Sequence, residues 1–149
     1  MLASALIGLV VLLASILIQA TALDVTVRFV AWLLSVGYAG QNFWRNVGVA
    51  TGVMLIHLAA LLTQVAAWAG AFVICGALPD FATAFYHSAV NFTALGYGDI
   101  VMPPGWRLLG PLEAANGVLM FGLSGSTLFV VANRLLELQL KGQHLGPPR

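Results

Sequence analysis

The chain has 149 residues, of which 60% are hydrophobic and only 7% are charged. Soluble domains carry about 25% charged residues, so this composition excludes an ordinary water-facing surface and indicates an integral membrane protein in contact with membrane lipids. Six Lys and Arg against five Asp and Glu leave no basic surface that could neutralise a row of phosphates, which excludes nucleic acid as an expected partner.

Three apolar segments are long enough to cross a bilayer, which needs roughly 20 mostly apolar residues. They run from about 2 to 23, from about 47 to 78 and from about 108 to 136. A cleaved signal peptide is the alternative for the first segment, because "ATA" at 20–22 resembles a small-residue cleavage site. No positive charge precedes this segment, and it is longer than a usual signal core, so a retained helix is the favoured interpretation.

The connection at 24–46 mixes tryptophan, phenylalanine and tyrosine with arginine, the residue types that are enriched where membrane meets water. We expect it to form a short helix lying at the interface. Together with the first span it makes up an N-terminal region at 1–46.

Basic residues set the expected orientation. Cytoplasmic connections of membrane proteins carry an excess of Lys and Arg. The connection between the second and third spans has one such residue, whereas the first connection and the C-terminal end have the others: Arg28, Arg45, Arg134, Lys141 and Arg149. We therefore expect a multi-pass protein with a cytoplasmic tail at 137–149, and with the N-terminus and residues 79–107 outside.

The outer connection begins with Pro79 and Asp80, a helix-start signal in which the carboxylate accepts from free amides of the first turn. About a dozen helix-compatible residues follow, and then the stretch "TALGYGD" at 93–99. This helix is too short to span. Non-helical backbone at membrane depth is tolerated only where protein or a water-filled path covers it, so the pattern predicts a re-entrant segment beside water.

Other polar residues give no sign of catalysis. The sequence contains no Ser–His–Asp arrangement, metal-ligand cluster or phosphate loop, so we expect a protein that is not an enzyme and has no cofactor. His57 and Gln64 lie seven residues apart in the second span. Hydrogen bonds between helices are the favoured interpretation for them, with a metal or proton site as the alternative.

The order of these features resembles the pore module of tetrameric potassium channels: outer helix, short pore helix, T-x-x-G-Y-G-D filter and inner helix. The resemblance to bacterial two-helix pore modules covers 47–136, with an additional N-terminal helix. It implies an all-α membrane protein of three transmembrane helices, with a re-entrant pore helix and selectivity-filter loop between the second and third. It also implies a homotetramer in a bacterial inner membrane that conducts K⁺ passively. A non-conducting membrane scaffold or sensor subunit that keeps the pore fold is the alternative.

The resemblance assigns the ion-binding filter to 93–99, with backbone carbonyls as K⁺ ligands. Glycine tolerates positive φ, which lets successive carbonyls face the pore axis. The implied carbonyl donors are Ala94, Leu95, Gly96 and Tyr97, and the remaining filter positions are Thr93, Gly98 and Asp99. K⁺ is here the permeant ion and not a cofactor.

One filter position departs from the family pattern. Most relatives have a second threonine where this chain has Ala94, and its hydroxyl completes the innermost ion site. We expect weaker multi-ion conduction with selectivity preserved, and a gain in conductance or in barium block for Ala94→Thr.

Residues around the filter have implied supporting roles. His87 occupies the position of a family tryptophan, so we expect it to brace Tyr97; a histidine satisfied at the outer surface is the alternative. Val90 replaces a glutamate that pairs with the filter aspartate in some members. Glu113 in the third span is a candidate to pair with Arg107 or His87. Gly117 and Gly122 in the same span are equally compatible with a hinge and with close helix packing.

Overall fold

The computed structural model describes residues 2–40 and 42–144, with side chains as far as 141. Four helices form in this part of the chain: α1 at Leu2–Ser35, α2 at Phe43–Ile74, α3 at Phe81–Phe92 and α4 at Leu109–His144. Three of them, α1, α2 and α4, are long and apolar enough to cross a membrane. The 12-residue α3 is not. The predicted all-α architecture, with a short helix between the second and third spans, is confirmed.

Three helices have boundaries that differ from the prediction. Helix α2, at Phe43–Ile74, begins and ends about four residues earlier than the expected 47–78. Residues 24–35 continue α1 and do not form a separate interfacial helix; Asp24 and Arg28, one turn apart, make an ion pair at 2.7 Å that supports this continuation. Helix α4 extends beyond 136 as far as His144, because the residues that follow are mostly good helix formers such as Leu, Glu, Gln and Lys. The predicted tail is therefore helical at 137–144, and Arg149 lies outside the described residues.

The chain divides into two compact units. The first comprises Met1–Ala20 and Ala60–Gly122. Its core is formed by side chains that are almost completely buried: Trp68, Phe72, Phe92 and Leu109. Within it, Gln64 Nε2 donates to Gln19 Oε1 at 3.0 Å and so joins α2 to α1. Helix α3 belongs entirely to this unit, as do residues 93–99.

The second unit comprises Thr21–Ala59 and Leu123–Arg149. Its apolar core includes Val49, Val53 and Leu135. Thr26 Oγ1 lies 3.4 Å from His57 Nε2, so His57, like Gln64 in the first unit, contacts α1. This agrees with the interhelical interpretation of both residues.

Candidate functional site

Helix α3 begins with the predicted cap. The side chain of Asp80 accepts from the backbone N–H of Thr83 at 2.9 Å and from its hydroxyl at 2.8 Å. These bonds satisfy a first-turn amide that has no intrahelical partner. The bond from the Thr83 backbone also lowers the pKa of Asp80, because hydrogen bonds to a carboxylate favour its charged form.

The last turn of α3 leads directly into residues 93–99, the filter stretch, which is so named for the role that the resemblance predicts. The hydroxyl of Thr93 donates to the carbonyl oxygen of Ala89 at 2.8 Å, and its backbone N–H bonds the same carbonyl at 3.2 Å. The side chain of Thr93 is thus directed back toward α3. Its hydroxyl is not a replacement for the one that is missing at Ala94.

Every second residue of the filter stretch has a left-handed backbone. The φ angles are 56° at Ala94, 58° at Gly96 and 74° at Gly98. Positive φ was expected at the two glycines, but at an alanine it is uncommon, since Cβ crowds the backbone there. The carbonyl of Val90 holds this conformation by accepting from the amides of Leu95 and Gly96 at 3.0 and 3.3 Å.

The side chains of the filter stretch have few contacts within their own chain. All seven residues at 93–99 are exposed, including the apolar side chain of Leu95 and the ring of Tyr97, which are 56% and 67% exposed. Within one chain, the side chains of Leu95 and Tyr97 are therefore left largely uncovered.

The far end of the stretch is held by a residue that the sequence reasoning missed. Tyr86 Oη donates to Asp99 Oδ2 at 2.7 Å, and Asp99 Oδ1 accepts from the amide of Ile100 at 3.1 Å. The bond to Asp99 raises the pKa of Tyr86, because it favours the protonated phenol. The sequence did contain a signal for this role of Tyr86. Its phenol lies on α3 directly beside His87, and the resemblance pointed to the position of His87.

His87 has partners other than the expected one. Its Nε2 lies 2.9 Å from the amide nitrogen of Asn91, and its ring packs edge-on against Phe72 with centroids 5.8 Å apart. The expected bond to Tyr97 is therefore not made within the chain. Burial lowers the pKa of His87, since desolvation disfavours the charged ring. Beside the ring lies a pocket of about 150 Å³ that is also lined by Asn91 and Arg107.

Glu113 likewise has a different partner. It is completely buried, and its Oε1 lies 2.5 Å from the hydroxyl of Ser88 on α3. Arg107, one of the expected partners, instead donates from Nε to the carbonyl of Met102 at 3.3 Å. The residue thus lies behind the filter helix as anticipated, but neither expected pairing forms.

The two candidate hinge glycines have different surroundings. A Cβ at Gly117 would overlap the carbonyl oxygen of Phe92, the last residue of α3, whereas a Cβ at Gly122 would meet nothing within 4 Å. Helix α4 runs uninterrupted through both. Gly117 is therefore a close-packing position where the end of α3 rests on α4, whereas a Cβ at Gly122 would have open space within the chain.

The three apolar spans and the capped half-length helix between two of them define an integral, multi-pass membrane protein. A sequence model described as "Ion channel" matches residues 58–134, just over half of the chain. The protein therefore belongs to this ion channel family. No curated protein and no solved structure gives a significant match to the chain.

Proposed function

We propose that the protein is a potassium-selective channel that conducts passively through a pore formed by four identical chains. The observation that carries this proposal is the alternating left-handed backbone of Ala94, Gly96 and Gly98. Alternation of positive and negative φ turns successive carbonyls toward one side. A ring of such carbonyls can replace the hydration shell of K⁺.

The tetramer is supported by the exposed face of the same stretch. One chain supplies one row of carbonyls, which cannot surround an ion. Cyclic assembly of identical subunits closes such a ring and covers Leu95 and Tyr97, whose side chains are largely exposed in one chain. The orientation that follows the basic residues puts 79–107 outside and the C-terminal end of α4 in the cytoplasm.

Flux measurements on purified protein in liposomes test the proposal. With opposed K⁺ and Na⁺ gradients, the reversal potential should follow K⁺, and intact-complex mass measurement should give four chains. Equal permeability to the two ions would contradict potassium selectivity. Assembly without any flux would instead favour the alternative of a non-conducting scaffold or sensor subunit.

A matched pair of variants links flux to backbone conformation. Gly96 and Gly105 both have open space where a Cβ would stand, but only Gly96 has positive φ, at 58°. Gly96→Ala should abolish or strongly reduce selective flux, because each subunit bears a penalty of about 1–2 kcal/mol in the left-handed region and the ring repeats it four times. Gly105→Ala should leave flux unchanged. Equal effects of the two changes would contradict the role given to this backbone.

A further inference from the structure

The hydroxyl oxygen of Ser88 makes two hydrogen-bond contacts, but its single hydrogen cannot be donated in both. Its Oγ lies 2.9 Å from the carbonyl oxygen of Val65 on α2 and 2.5 Å from Oε1 of Glu113 on α4. Both distances are within the range of O–H···O hydrogen bonds. A serine hydroxyl carries one donor hydrogen, and a carbonyl oxygen can only accept. The hydrogen of Ser88 is therefore directed to Val65, and the hydrogen in the shorter contact has to come from Glu113.

The surroundings of Glu113 agree with this count. The residue is completely buried, and Oε2 has no hydrogen-bond partner. Among the described residues, no basic side chain forms an ion pair with Glu113, whereas Arg28 pairs with Asp24 and Arg134 pairs with Glu137. The Asn91 amide beside the carboxyl is neutral. A buried carboxylate without a cation is so costly that such a group becomes neutral instead.

The titratable groups on the neighbouring elements do not alter this conclusion. Residues 2–20 of α1 and 60–74 of α2 contain none. On α3, Tyr86 bonds Asp99, and His87 Nε2 bonds the side-chain amide of Asn91 and not Glu113. In the connection to α4, Arg107 bonds the carbonyl of Met102.

The places of these residues along α3 and α4 show which part of the chain the contact between Ser88 and Glu113 holds in position. Ser88 and Phe92 are one turn apart on α3, and Glu113 and Gly117 are one turn apart on α4. Residues four apart lie on the same helix face. The bond between Ser88 and Glu113 and the close approach of Gly117 to Phe92 therefore form one continuous seam. That seam ends at the residue that precedes the filter stretch.

We infer that Glu113 is a neutral carboxylic acid whose hydroxyl donates to Ser88 while Ser88 donates to Val65, a relay that fixes the pore helix between α2 and α4. Glu113 is thus a positioning residue for the filter. Its role in conduction rests on the proposed channel function, but its protonation state does not.

Infrared difference spectroscopy of the full-length protein in lipid nanodiscs tests the protonation state directly. At neutral pH, Glu113→Gln should remove a band from the carboxylic-acid C=O region. Glu137→Gln is the control on the same helix, because Glu137 is exposed and paired with Arg134, and it should remove carboxylate bands. Loss of carboxylate bands from Glu113→Gln would overturn the inference, whether or not the protein conducts.

Variants that keep or remove the donor test the positioning role. A glutamine amide can still donate to Ser88, so Glu113→Gln should retain potassium flux within about twofold of the unmutated protein. Glu113→Leu has no donor, and flux should fall by roughly tenfold, as for loss of a buried hydrogen bond. Equal loss of flux in both variants would contradict a hydrogen-bond relay. If the unmutated protein itself does not conduct, but Glu113→Gln keeps its thermal stability and Glu113→Leu does not, the relay stands and the proposed channel function fails.

Discussion

Substitution of Gly117 by alanine tests whether the end of α3 rests directly on α4. A Cβ there would overlap the carbonyl oxygen of Phe92 and lie 2.7 Å from its carbonyl carbon. Contacts between carbon and a carbonyl oxygen begin at about 3.3 Å, so one of the two helices has to move by about 1 Å or more. The neighbour is backbone and cannot rotate away as a side chain would.

The size of the effect follows from two opposing contributions. Forced overpacking costs about 3 kcal/mol when the neighbour cannot yield. Alanine regains at most about 1 kcal/mol relative to glycine in a helix. We therefore expect Gly117→Ala to lower the free energy of unfolding by about 2 kcal/mol, and to displace Phe92 and the filter stretch that follows it.

Gly122→Ala is the matched control, because it makes the same chemical change five residues along the same helix where nothing lies within 4 Å. It should be neutral or stabilising by up to about 1 kcal/mol. The two variants then differ by about 2–3 kcal/mol, so their melting temperatures should differ by about 4–12 °C, at 2–4 °C for each kcal/mol. Melting followed by tryptophan fluorescence in nanodiscs, with potassium flux from the same preparations, measures both effects. Identical melting and flux for the two variants would refute the close contact.

Three further predictions concern the filter and its supports. Tyr86→Phe removes the hydroxyl that bonds Asp99 and should speed the decline of potassium current during sustained recording. Tyr38→Phe, in the second unit, is the control and should not change the decline. Equal decline in both variants would contradict the role of this bond in holding Asp99. The pKa of His87 is lowered by burial, so its contribution to stability is full above the unfolded value of about 6.5 and is lost as pH falls below that value. External acid should therefore reduce flux and melting temperature, and an unchanged acid response in His87→Gln would show that His87 does not cause it. Ala94→Ser supplies the missing hydroxyl without the β-branch that threonine would place at a φ of 56°. It should therefore raise unitary conductance or internal barium block more than Ala94→Thr does, with the potassium-to-sodium permeability ratio unchanged. An effect equal to that of Ala94→Gly would show that the hydroxyl is not responsible.

Much of the fold was accessible from sequence because membrane helices are determined by length and apolarity. The three spans and the short helix between them followed from these properties, and the cap at Asp80 followed from the preference of aspartate for a helix start. The boundary at 24–35 did not, since interfacial residue types occur equally well in a helix that continues. Only the ion pair between Asp24 and Arg28, at helical spacing, favoured continuation.

Contacts around the filter were harder to predict, because helix rotation decides them. Adjacent helix positions point about 100° apart. Tyr86 and His87 therefore face different neighbours, although they are next to each other in the sequence and the resemblance pointed to His87. Glu113 was correctly placed behind α3, yet its partner depends on which α3 residue faces α4. That residue is Ser88, which carries no charge and gave no signal in the sequence.

The filter stretch is held at both ends by its own chain, and this bears on how a ring of four could form. The carbonyl of Val90 fixes the amides of Leu95 and Gly96, and Tyr86 fixes Asp99, so both anchors lie on α3. Because α3 is itself fixed by its seam with α4, one chain alone holds the left-handed backbone at Ala94. Association of groups that are already ordered has a smaller entropic cost than association that orders them. The same anchors that shape one row of carbonyls would therefore also favour their assembly into a ring.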